Sequence, residues 1–360
     1  MKRQVNPWWA ELPPAAGAAV MATAIISIGL HLTGHETLSR VGLVIAALLW
    51  LLLAWDFVAR LLGNRTRWEG EADTPPALTA VAATTVLGTR LSALGWQGPA
   101  AALLTLGAVL WPGLLMAVVR HWRRRMPGVA FLVCVATQGL AVLAATLSSA
   151  GAGEWLGWGA VAALGLGLFL YAEALVRFDF RQVRDGAGDQ WIGGGALAIS
   201  ALAASKLALL RAGAAHTALR TTALVLLGLN LTACAVLLLA EARWPRPRYD
   251  IRRWSTVFPL GMTAVASLSV SATTGIAWLH TLGVALLWIA LATWLLVLAG
   301  FARKPGQVPG GAGQAGLWRS GRRSNPVQEQ RPGATRRHGA RPAPAAPDPK
   351  PPPPTPHAQR

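Results

Sequence analysis

The chain has 360 residues, 53% of them hydrophobic and only 13% charged, with a formal net charge of +18. Apolar runs of about 20 residues recur from end to end, which excludes a soluble globular domain and marks a polytopic helical membrane protein. The basic excess lies in links and tail with no recognition fold beside it, so topology and anionic lipid account for it and no nucleic-acid partner is expected.

Residues 1–13 read as a short N-terminal segment. Met1-Lys2-Arg3 ahead of an apolar run has the outline of a signal peptide, but the many spans that follow favour an uncleaved first helix. Ten spans are predicted, at 14–32, 41–62, 77–94, 99–119, 129–149, 155–176, 190–210, 218–240, 254–275 and 278–301. Each is long enough to cross a hydrocarbon core of about 30 Å. Short links predict that neighbouring spans pair as antiparallel hairpins, giving an all-α membrane domain over 14–302.

The first span carries Thr23 and Ser27 and leads to His31 and His35, spaced i,i+4. That spacing suits zinc, but no acidic or cysteine partner is evident, so no metal site is expected. The second span contains Leu48-Leu49-Trp50-Leu51-Leu52-Leu53, then Asp56 four residues before Arg60. The sixth repeats this pairing with Glu173 and Arg177; such pairs neutralise themselves at an interface. The third span holds Thr79, Thr84, Thr85, Thr89 and, near its end, Arg90. The fifth holds Thr137 and Gln138, and the seventh Ser200, Ser205 and Lys206. Cys134 and Cys234 lie in separate spans without a C-x-x-C and read as small buried hydrophobes. Asn230 and His280 read as helix-packing hydrogen bonders. Segment 303–360 is rich in Pro, Gly, Ala and Arg, so a disordered basic tail is expected, resting on anionic lipid.

The spans alternate in character. Ser and Thr number about 21 in the odd spans and about 6 in the even ones, which are dominated by Leu, Ala and Trp. Two readings fit: an inner ring of odd helices around a wet lumen, or small residues that allow close helix packing. Arginines also alternate. Arg65, Arg67, Arg123, Arg124, Arg125, Arg181, Arg184, Arg243, Arg246, Arg248, Arg252 and Arg253 follow even spans; Arg40 and Arg211 lie on the other side. The positive-inside rule then places both termini in the cytoplasm. The Arg-over-Lys and Ala-rich bias points to a bacterial cytoplasmic membrane.

The ninth span is unusual. After Arg252-Arg253-Trp254 come Phe258 and Pro259, then Gly261, Thr263, Ala264, Ala266 and Ser267. Pro259 has no N–H, so the Ser255 carbonyl loses its helical partner. In hydrocarbon that carbonyl needs protein or a watery cavity. This stretch, W-x-x-x-F-P followed by T-A-V-A-S, resembles the ninth helix of the tellurite-resistance/dicarboxylate transporter family, which includes slow anion channels, sulfite exporters and malate permeases. A weaker likeness covers Leu12-Pro13-Pro14 and Val20 to Ser27, where Gly17 and Ala24 replace the family's aromatic and glycine. The likeness spans roughly residues 10–303. It implies ten helices arranged as five hairpins around a central pore, a homotrimer, and Phe258 as the aromatic that blocks the pore. The transported species would be chloride, nitrate, sulfite or C4-dicarboxylates such as malate.

The candidate site follows. Phe258 is either a plug in a lumen or an ordinary packing aromatic. Pro259 is the kink beside it. Thr23, Ser27, Thr84, Thr137, Ser200, Gly261, Thr263 and Ser267 are the pore-lining candidates. Arg90 and Lys206, about four residues from the ends of their spans, form either a basic mouth that concentrates anions or a pair that snorkels to headgroups. A proton-coupled carrier is the alternative; it needs an ionisable lumen group, and no acid lies deep in an odd span. An integral-membrane enzyme needs a convergent polar cluster, which the sequence does not display. No P-loop or G-x-S-x-G elbow occurs, and no cofactor is expected.

Overall fold

A computed structural model describes residues 17–63, 75–186, 188–245 and 253–303. They form ten long helices: α1 Gly17–Leu32, α2 Glu36–Gly63, α3 Thr79–Ala93, α4 Gln97–Val119, α5 Leu132–Ser149, α6 Glu154–Arg177, α7 Ile192–Ala208, α8 Gly213–Arg243, α9 Trp254–Thr274 and α10 Ala277–Arg303. Among the described residues the extended pairing is confined to an isolated bridge between Met126 and Phe178. The N-terminal segment 1–13, the tail beyond 303 and the Arg60 side chain of the expected Asp56 pair lie outside the described residues.

Eight of these helices are long and apolar enough to cross a membrane by length and composition. The other two are α1 and α3. The described part of α1 is 16 residues. α3 has only 15 residues but is entered through the 3-10 turn Pro75–Leu78, and together they rise about 30 Å. α5 and α7 are entered in the same way, through Gly128–Phe131 and Asp189–Trp191. α2 and α8 begin five residues earlier than expected, at Glu36 and Gly213. Glu36, Arg40 and His216 lower hydropathy there and hide a regular first turn.

Each odd helix is joined to the next even one by a tight turn containing a glycine of positive φ: Gly34, Gly95, Gly151, Gly213 and Gly275, at φ 80°, 84°, 86°, 60° and 73°. This left-handed conformation ends a helix at little cost only in glycine. The five turns lie together at one end, the turn end. The longer links lie at the link end.

The hairpins close into a ring. α1 packs on α3, α3 on α5, α5 on α7, α7 on α9, and α9 returns to α1. Each even helix packs on its own hairpin partner and on the odd helix that follows: α2 on α3, α4 on α5, α6 on α7, α8 on α9 and α10 on α1. Burial separates the layers. In the apolar windows of α5 and α7, 94% and 89% of residues are buried, against 11% in α2 and 17% in α4. The exposed side chains of the even helices are large and apolar, among them Leu48, Leu52, Trp55, Val109, Phe169, Leu239 and Leu296, as lipid contact requires. Odd helices approach each other through small residues. A Cβ on Gly139 of α5 would overlap Thr85 Oγ1 of α3, and one on Gly17 of α1 would overlap Thr79 of α3.

Candidate functional site

α9 stays helical through Pro259. Thr263 Oγ1 donates to the Pro259 carbonyl at 2.8 Å, and Ser267 Oγ donates to the Thr263 carbonyl at 2.8 Å. Trp254 anchors the start of α9, buried and edge-on to Trp294 of α10 with centroids 6.3 Å apart. Phe258, one turn further on, is 1% exposed. Its ring lies over Gly195 of α7: a Cβ there would stand 3.2 Å from Phe258 Cε1 and 3.0 Å from Pro259 Cγ. A side chain there would press both by a few tenths of an ångström.

Phe258, Val265 and Ser269 are spaced i, i+7, i+11 and share one face of α9. Ser269 Oγ meets Ser205 Oγ of α7 at 2.8 Å. Val265 Cγ2 lies 3.4 Å from the Cβ position of Gly29 on α1. The face bearing Phe258 is therefore bounded by α7 on one side and α1 on the other, the two ring neighbours of α9.

Gly195 was not singled out from the sequence. Its signal is the run Gly193-Gly194-Gly195 at the start of α7. Each of the three receives a different neighbour: Phe131 of the turn into α5, then Asn230 of α8, then Phe258 with Pro259.

The hydroxyls expected along a lumen each have hydrogen-bond partners. Trp50 Nε1 of α2 donates to Thr84 Oγ1 of α3 at 2.9 Å, and Trp111 Nε1 of α4 donates to Thr137 Oγ1 of α5 at 2.9 Å. Asn230 Nδ2 of α8 donates to Thr263 Oγ1 of α9 at 3.0 Å, and Trp294 Nε1 of α10 donates to Thr23 Oγ1 of α1 at 3.0 Å. Each of these threonines also donates to the carbonyl four residues back. Ser200 of α7 occupies the matching place, donating to the Ala196 carbonyl at 2.7 Å and meeting Cys134 Sγ of α5 at 3.8 Å. Ser27 Oγ donates to the Ser39 carbonyl of α2 at 2.6 Å. A Cβ on Gly261 would stand 2.9 Å from Ile25 Cγ2 of α1. Apart from Ser27, which bonds within its own hairpin, these side chains join hairpin to hairpin. In an apolar surrounding a hydroxyl goes to the nearest partner, here a backbone carbonyl and a neighbouring indole.

The two cations part company. Arg90 has no exposed side-chain surface; Nε donates to Ser39 Oγ at 3.0 Å and Nη2 to Glu36 Oε1 at 3.0 Å. A carboxylate on α2 therefore neutralises it. Lys206 is half-buried and has no hydrogen-bond or ion-pair partner among the described residues. Arg90 and Lys206 each lie six residues after a hydroxyl residue of their own helix, Thr84 and Ser200, and in its last turn. The two histidines diverge: His31 Nδ1 pairs with Glu36 Oε2 at 2.6 Å, while His35 lies edge-on to Trp288. Glu173 and Arg177 do pair, and the Arg177 guanidinium also covers the Trp122 ring at 5.0 Å.

A family model described as SLAC1, voltage-dependent anion channel, matches residues 11–302. No curated protein matches the chain.

Proposed function

Because this chain belongs to the voltage-dependent anion channel (SLAC1) family, we propose that it is a passive conduit for small anions, closed by the Phe258 ring. It is a multi-pass membrane protein of an anion-transporting family, the one that includes tellurite-resistance/dicarboxylate transporters and slow anion channels. The observation that carries the finer reading is the closed ring α1–α3–α5–α7–α9 with Phe258 on the face of α9 that lies between its two ring neighbours. A benzyl group there is a dry obstruction that ions pass only when it swings aside.

Passive flow is favoured over proton coupling by composition: α1, α3, α5, α7 and α9 contain no Asp or Glu. A carrier that moves its proton on a carboxylate has no such group within these five helices. Walls that carry no carboxylate also suit anion passage, since no fixed negative charge repels the ion. Residues 14–302 form the conducting domain in this reading, in a bacterial cytoplasmic membrane with both termini cytoplasmic. Three copies assemble as in the family.

The deciding experiment is Phe258→Ala in reconstituted protein. Anion current should rise by an order of magnitude or more, about 1.4 kcal/mol off the barrier per tenfold. Unchanged current in folded protein would remove the plug assignment.

A further inference from the structure

We propose that Arg90 is an anion-binding residue at the turn end of the ring, and that Glu36 is its resident, exchangeable counter-ion. The ligand rests on the channel reading: a small inorganic anion, with nitrate as the probe. A guanidinium offers five N–H donors. In Arg90, Nε is taken by Ser39 and Nη2 by Glu36, whereas Nη1 is buried with no hydrogen-bond partner among the described residues. A cation withdrawn from water with donors idle is unfavourable unless another acceptor visits them.

Glu36 is not captive in the same way. Its side chain is 35% exposed, and three basic groups hold it. Arg90 does so from inside the wall. His31 and Arg40, at 2.6 and 3.1 Å and with 33% and 68% of their side-chain surface exposed, do so from the water side. The carboxylate can shift onto His31 and Arg40 and remain neutralised. It leaves behind a guanidinium whose plane stays fixed, because Ser39 is itself tied to α1: Ser39 Oγ donates to the Ser27 carbonyl at 2.7 Å. Replacement of a carboxylate by an entering anion conserves charge, so the buried cation never stands alone. Lys206, unpartnered among the described residues and in the last turn of α7, supplies a second positive charge toward that end.

The test uses the full chain in detergent at constant ionic strength, with gluconate replaced stepwise by nitrate. The unfolding midpoint is read at each step, and the same proteins in vesicles report nitrate flux. Wild type should show saturable stabilisation. Glu36→Gln removes the competitor and should lower half-saturating nitrate by at least about fivefold, the low end of coupling between sites. Arg90→Gln should abolish the saturable part. Arg40→Gln, on the surface, leaves Glu36 more firmly on Arg90 and should raise half-saturating nitrate; it decides the matter where the buried variants do not fold. Half-saturation unchanged in both Glu36→Gln and Arg40→Gln overturns the proposal, as does saturable stabilisation surviving in Arg90→Gln. Absence of flux in wild type and in Phe258→Ala together counts against the channel reading, while the nitrate series still decides the subsite.

Discussion

Gly195 and Phe258 form a matched pair. A methyl group at position 195 has to displace either the Phe258 ring or Pro259, since both stand near 3 Å from it. With a plug at Phe258, Gly195→Ala should raise current several-fold in wild type and change nothing further in Phe258→Ala. Single-channel or flux recordings of the four-member cycle check this, and additive effects would separate the two residues. Thr84 tests the seams in a similar way. Thr84→Val deletes the acceptor for Trp50 Nε1 and should cost about 0.6 kcal/mol, the usual worth of a hydrogen bond between membrane helices. Its anion selectivity should match wild type; a changed permeability ratio would return the Thr84 hydroxyl to the ion path.

At the scale of helices, ten spans and their alternation were legible because lipid exposure and ring packing demand different residues. Leu48 to Leu53 on α2 and the Ser/Thr stretch of α9 carry that contrast locally. The starts of α2 and α8 were not legible, since a polar first turn at an interface resembles a link. The Phe258–Pro259 step stood out because proline removes a backbone N–H directly beside the aromatic. Gly195 did not, because its partner is chosen by tertiary packing 63 residues away. The destiny of the hydroxyls was hidden for the same reason. Trp50 meets Thr84 across 34 residues, Trp111 meets Thr137 across 26, and Asn230 meets Thr263 across 33. The spacing of threonines on one helix does not say whether the neighbour is water or an indole.

Taken as one object, the membrane domain is a cycle of five similar hairpins. Its last seam joins residues 271 positions apart, where Trp294 of α10 donates to Thr23 of α1. The other seams form between segments that emerge from the ribosome in succession; this one waits for the final helix. Until α10 is made the ring lacks this seam. The same seam makes the order of hairpins a matter of bookkeeping. A circular permutant that starts at α3, with α10 tethered to α1 and new ends in the 64–74 link, should insert and pass nitrate in vesicles at close to the wild-type rate. A permutant that is inserted and folded yet silent would show that the first helix must lead.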